Sequence, residues 1–163
     1  MEISTSNITL FAAILLIGLV AGLCFTWGNA VTPGVGQLED MGYLQSFQKM
    51  NRSIENPLFF AVFFGSFLVG IVTVITNRAI SPTHFWLVLA AMAIYFFGVV
   101  LVTIMGNVPL NQILDKTDLV NSTSEQLRTL RETFERPWNQ FHSIRMVAAT
   151  ISFAMLVIAA IGK

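Results

Sequence analysis

The sequence predicts an all-α membrane protein: a four-helix transmembrane bundle, capped at one end by amphipathic helices carried in two long loops. Three observations predict it. Of the 163 residues, 55% are apolar and 11% charged, an apolar share above that of soluble domains and a charged share under half of theirs. The charges are also segregated, with none between Ile3 and Leu38, Leu58 and Asn77, Ala79 and Leu114, or Met146 and Gly162. Finally, the uncharged runs are continuously apolar rather than alternating, which leaves helices as the spanning structure. A disordered chain is excluded, and nine cations against nine anions give no reason to expect nucleic acid as a partner. The single cysteine, Cys24, excludes an intrachain disulfide and a multi-cysteine metal site.

A bilayer core of roughly 30 Å takes about 20 helical residues. The spans are predicted at 7–30, 57–76, 84–105 and 138–161, within one membrane domain over 1–163. The first has no basic n-region and is too long for a signal peptide, so it is read as retained. Trp27 closes the first span, Trp86 opens the third and Trp138 opens the fourth, where indoles suit the headgroup region. Gly18 with Gly22, and Ala148 with Ser152, supply small residues for helix contacts within the bundle. The run Phe59, Phe60, Phe63, Phe64 and Phe67 reads as packing or lipid-facing bulk.

Only 77–83 separates the second span from the third, which makes them an antiparallel hairpin. The other two connections, 31–56 and 106–137, are long and fall on the same side of a four-span chain. Each carries a predicted cap segment, at 36–54 and 107–136. In the first, Leu38, Met41, Leu44, Phe47, Met50 and Ile54 recur at helical steps after Pro33-Gly34. In the second, Ser122-x-x-Glu125 resembles a capping box ahead of Leu127, Leu130 and Phe134. Lys and Arg number seven on the capped side and two on the other, which places the cap in the cytoplasm, although eight acidic residues accompany the seven.

The capped end also gathers polar side chains. Asn51 and Asn56 precede the second span, Asn107 and Asn111 follow the third, and Trp138, His142 and Arg145 begin the fourth. Trp138, His142, Arg145, Ala149 and Ser152 follow i, i+4, i+7, i+11, i+14, one face that ends in small residues and so turns toward other helices. Arg145 lies roughly 10 Å inside Trp138. Pointing inward it costs on the order of 2.5–3.5 kcal/mol at the helix centre; snorkelling to the headgroups is the competing reading, and the small-residue stripe favours the first. Each asparagine has a plainer role too. Asn56 before Pro57 is a helix cap, Gly106-Asn107 can end the third helix, Asn111 can sit in a turn, and Asn51 can face water. At the hairpin end, Arg78 and His84 read as interfacial anchors. His84 and His142 lie at opposite faces and cannot share an ion. No metal site is predicted; His142 with Met146 is the pair that a soft copper or a haem iron would use.

Phe47-x-x-Met50-Asn51 leading to Asn56-Pro57-x-Phe59, then Asn107-Val-Pro109-Leu-Asn111, then Trp138-x-x-x-His142-x-x-Arg145, resembles the anthrone oxygenase-like membrane proteins in motif order, spacing and unequal loops. Most members are small four-span bacterial proteins, which makes the bacterial inner membrane the expected location. The resemblance implies a compact bundle with a pocket at one end. It also implies an oxygenase chemistry, which in fungal members converts anthrones to anthraquinones with dioxygen and no added organic cofactor. Carried over by position, His142 and Arg145 are the catalytic candidates, and Asn51, Asn107, Asn111 and Trp138 the substrate-binding ones. The substrate class is a small hydrophobic aromatic molecule, the anthrone itself not being transferable from fold likeness.

Cofactor-free oxygenation needs an acidic, electron-rich substrate whose anion reacts directly with dioxygen. His142 is the one side chain at the capped end that titrates near neutrality and so serves as general base. Arg145 and the asparagine amides stabilise the enolate and the developing peroxide. Two readings of other classes stand beside the enzyme. One is a non-catalytic bundle, a small subunit of a larger membrane complex, a homo-oligomer or a lipid-binding protein. The other is a haem or copper redox carrier using His142.

Overall fold

The computed structural model describes residues 4–162 and contains helices without a strand among them. We number the helices α1 (Thr5–Val35), α2 (Asp40–Ile54), α3 (Pro57–Asn77), α4 (Pro82–Lys116) and α5 (Ser124–Ile161). All but α2 are long and apolar enough to cross a membrane. Their lengths divide the molecule into two layers. The 21 residues of α3 reach about 32 Å, one bilayer core, whereas the 31, 35 and 38 residues of α1, α4 and α5 reach about 46, 52 and 57 Å. The surplus of the three longer helices projects at one end, and α2 completes the cap.

Each layer has its own core. Ile17, Ala21, Val88, Tyr95, Ala149 and Leu156 are buried in the bundle, and Tyr43, Leu44, Phe47, Leu114, Phe134 and Trp138 in the cap. α1 packs between α3 and α5, and α4 also packs on both α3 and α5. Small residues set the distances. A Cβ on Gly18 would stand 2.9 Å from the Phe153 ring, while one on Gly22 would meet nothing within 4 Å; only the first glycine is an internal contact. Ser152 donates to the Ala91 carbonyl at 2.8 Å across α5 and α4.

Helix ends follow local chemistry. Asn56 caps α3 by accepting from the Phe59 N–H at 3.0 Å, with Pro57 at the first helical position. The capping box of α5 lies one residue later than Ser122-x-x-Glu125. Thr123 Oγ1 accepts from the Gln126 N–H at 3.3 Å and Gln126 Oε1 from the Thr123 N–H at 2.8 Å. Ser122 is drawn off by the preceding turn, donating to the Asp118 carbonyl at 2.7 Å. Two further expectations need correction. The third helix does not stop at Gly106-Asn107, and α5 starts in the cap and runs through Pro137 rather than beginning near Trp138.

The prolines widen helices instead of ending them. Pro33 and Pro109 cannot donate to the carbonyls of Asn29 and Met105. Just before each, the chain takes wide i→i−5 turns, at Trp27–Val31 and Thr103–Asn107, closed by Thr32 N–H to the Trp27 carbonyl and Val108 N–H to the Thr103 carbonyl. A third wide stretch is Phe96–Leu101. The first two lie at the junction of bundle and cap, and the third lies within the bundle, where Val99 and Val100 join its core.

The hairpin end is polar inside. His84 is 6% exposed and meets Asn77 Oδ1 at 3.1 Å, so it is a bundle residue rather than an interfacial anchor. Arg78 is exposed, and so is Trp86, at 64%. Trp27 and Trp138 do not stand at the surface as span-end indoles: they pack against each other with ring centroids 6.0 Å apart, Trp138 within the cap core and Trp27 against it.

Candidate functional site

The six sequence-chosen residues converge. Asn51, Asn107, Asn111, Trp138, His142 and Arg145 all line one cavity of about 170 Å³ at the junction of bundle and cap. Asn51 reaches it because Tyr43, Phe47 and Asn51 recur at four-residue steps on the buried face of α2; it is 6% exposed and does not face water. Asn107 and Asn111 arrive on the continuous stretch of α4 past its wide turn. The remaining walls are mostly apolar, with Val20 and Leu23 of α1, Phe59, Phe60, Phe63 and Phe64 of α3, and Val99 and Ile104 of α4.

His142 sits at the centre, 3% exposed. Its Nε2 is 3.0 Å from the Cys24 carbonyl, which can only accept, so Nε2 carries the proton. Its Nδ1 is 2.9 Å from Arg145 Nη2, which can only donate, so Nδ1 presents a lone pair. The two contacts together fix a neutral imidazole in the Nε2–H tautomer. The ring stacks on Trp138 at 5.1 Å and 9°. Gly28 makes this possible, since a Cβ there would lie 3.0 Å from Met146 Sδ and 3.3 Å from His142 Nε2.

Trp138 is tied at both ends. Its indole N–H donates to Asn111 Oδ1 at 2.7 Å, and its carbonyl accepts from Asn107 Nδ2 at 3.1 Å. Both partners stand on α4, whose close approach depends on Gly106; a Cβ there would fall 2.6 Å from the Phe141 ring. The asparagines read as possible turn and cap residues therefore lock α4 onto α5.

Arg145 turns inward. Besides His142 it donates to Thr103 Oγ1 at 3.3 Å, and its Cζ lies 5.5 Å over the Trp138 ring. Its charge has no carboxylate partner among the described residues: the ion pairs are Arg52–Asp115, Arg128 with Glu125 and Glu132, and Arg131 with Asp40 and Glu135, all in the cap. Four buried polar atoms on cavity-lining residues have no partner: Arg145 Nε, Trp27 Nε1, Asn51 Nδ2 and Asn107 Oδ1. Three are donors.

Sequence reasoning passed over Trp27, Thr103 and Glu55, all lining residues, and the Cys24 carbonyl. Trp27 carried the same aromatic signal as Trp138 but was assigned to the headgroups. Glu55 adjoins Asn56 at the rim, and no spacing marked it. A backbone acceptor has no sequence signal at all. Among the described residues no three of His, Cys, Asp or Glu come together.

Fold and site define a polytopic helical membrane protein with an apolar cavity polar at its inner end. A family model described as anthrone oxygenase matches residues 57–155, and the chain belongs to that family. The matched segment contains five of the six sequence-chosen site residues, Asn51 being the exception. No curated protein matches the chain, and no solved structure does.

Proposed function

We propose that the protein is a membrane oxidoreductase of the oxygenase type, acting on a small acidic aromatic substrate in the junction cavity with no organic cofactor. One observation carries this reading: the Arg145 guanidinium is turned inward beside an imidazole, with no carboxylate partner among the described residues, at the polar end of a mostly apolar cavity. A lone buried cation in a membrane bundle marks a functional site by default and calls for an anion. A substrate enolate supplies it.

In the proposed reaction the substrate oxygen lies against Arg145, and the guanidinium swings from His142 Nδ1 onto it. The freed Nδ1 takes the proton of the adjacent C–H or O–H, the electron pair remaining on the substrate as the enolate. The enolate carbon gives an electron to dioxygen and the two radicals join, forming the C–O bond of a peroxide. The imidazolium returns its proton to give the hydroperoxide. Loss of water, with cleavage of the O–O bond and the remaining C–H bond, leaves the carbonyl product. Arg145, Asn51 and Trp27 have donors unspent for the oxyanion and peroxide charge. Asn107, Asn111 and Trp138 hold the imidazole plane.

We further place the protein in the bacterial inner membrane with the capped face in the cytoplasm, since seven of nine basic residues lie there. The test of function is oxygen uptake by detergent-purified protein over a panel of phenols and anthrone-like enols, with His142→Ala prepared in parallel. Uptake that depends on His142 is expected. No uptake with any of them would leave the non-catalytic bundle as the better account.

A further inference from the structure

The cavity is too small and too open for a substrate it would swallow whole. Its enclosed space is about 170 Å³, whereas a cavity of about 150 Å³ holds a benzene ring and sites for drug-sized ligands run to roughly 300–1,000 Å³. One aromatic ring fits; anything larger must protrude.

The structure fixes the direction. Leu23, Phe60, Phe64 and Ile104 line the cavity and are also 39%, 43%, 46% and 48% exposed on the outer face of the bundle. These apolar side chains stand both at the cavity and at the surface of the bundle. Toward the hairpin α3 and α4 close on each other, with Phe67 and Phe96 stacked at 5.1 Å and a Cβ on Gly70 running into Met92. Toward the cap α4 leans instead on α5, through Gly98 against Ala148, Gly106 against Phe141, and Thr103 to Arg145. The seam between α3 and α4 is thus open to the membrane at the level of the cavity. The water-side rim differs, because exposed Glu55 lines it and repels an acid anion.

From this geometry we infer that the ligand is a membrane-dissolved amphiphile: a single-ring phenol or enol bearing a long apolar tail, which enters sideways between α3 and α4. Its acidic oxygen leads inward to the unpaired Arg145 guanidinium and the spare donors of Trp27 and Asn51. Its tail stays between Phe60, Phe64 and Ile104 and continues into lipid, so tail length is unrestricted. The inference takes the cavity to be the substrate site of the proposed function and specifies what it accepts.

The test uses Trp86→Phe protein in phosphatidylcholine nanodiscs, where Trp27 and Trp138 at the cavity are the remaining indoles. The probes are phenols with an ortho bromine, which quenches indole fluorescence, and a para alkyl tail from methyl to dodecyl. Expressed as mole fraction in the bilayer, which removes the partition effect, half-saturation should stay within about threefold across the series. A loss of more than about tenfold beyond butyl would mean a closed pocket and overturn the inference. Ile104→Phe should slow onset of quenching by the dodecyl probe about tenfold; an unchanged rate also overturns it. The two failures are separable. Binding at all tail lengths without oxygen uptake removes the catalytic reading and keeps the portal. Uptake with the methyl but not the dodecyl phenol removes the portal and keeps the catalysis.

Discussion

Replacing Arg145 with methionine asks whether the guanidinium serves folding or chemistry. Methionine has similar reach and no charge, so it relieves a burial cost on the order of 2.5–3.5 kcal/mol. Against that stand the interactions that methionine cannot make. The bond to Thr103 is long at 3.3 Å, and Thr103 keeps its own 2.7 Å bond to the Val99 carbonyl. The main loss is at His142 Nδ1, left buried without a donor at about 1–3 kcal/mol. The guanidinium over the Trp138 ring adds about 1 kcal/mol. Gain and loss nearly cancel, and the unfolding free energy should move by no more than about 1 kcal/mol in either direction. Activity should respond very differently, falling at least about 100-fold as expected when a principal oxyanion donor is removed. Equilibrium unfolding in mixed micelles, paired with oxygen uptake, reads both. A loss of more than about 3 kcal/mol, the scale of breaking a buried charge network, would show that Arg145 holds the bundle together and would refute the reasoning.

Gly106→Ala should lower stability by about 1–3 kcal/mol by driving a methyl into the Phe141 ring. Gly22→Ala, with open space around it, should stay within about 0.5 kcal/mol; thermal unfolding of the pair checks both. Thr123→Ala should cost about 1 kcal/mol through the lost cap, and Ser122→Ala clearly less, read as the difference between their melting midpoints. The Tyr43 hydroxyl is buried and unpartnered, so Tyr43→Phe should stabilise the cap by about 1 kcal/mol near neutral pH. Burial, and after it Glu135, hold the Tyr43 pKa above its ordinary 10.0 against the opposing pull of Arg131. A folded value above the unfolded one means stability that is complete below pH 10 and declines as alkali rises past it. Tyr43→Phe protein should lack that decline in an alkaline unfolding series.

How much of this was legible in the sequence depended on which force acted. The spans, the hairpin and the capped end follow from charge segregation, a one-dimensional signal that no packing detail can reverse. The i, i+4, i+7 spacing of Trp138, His142 and Arg145 likewise gave their shared face. Helix ends were harder. Gly106-Asn107 and Pro137 are breakers by propensity, yet α4 and α5 continue through them because each is braced by the other: Asn107 bonds the Trp138 carbonyl, and the absent Cβ of Gly106 admits Phe141. Tertiary contact overrode local preference there. Trp27 misled for a related reason, since an indole at a span end suits the headgroups equally well until a cap covers it. The tautomer of His142 was out of reach, being decided by a carbonyl more than a hundred residues away in sequence.

The wide turns of α4 have a consequence for how this chain tolerates insertion and deletion. A turn closed i→i−5 holds one residue more than an ordinary α-helical turn, and one residue is about 100° of helix rotation. Deleting the exposed Met105 would let the turn at Thr103–Asn107 close as ordinary helix, since the Val108 N–H and the Thr103 carbonyl would then stand four residues apart. The surplus residue is the one removed, so the helix on either side keeps its phase, and Asn107 and Asn111 still meet the Trp138 carbonyl and indole N–H. A residue inserted in the regular helix between positions 108 and 110 has no such slack to take it up. It would turn Asn111 about 100° off α5 and break the bond to the Trp138 indole, with Asn107 left in place. The wide turns are thus slack in one direction: the chain can lose a residue within them and keep its site in frame.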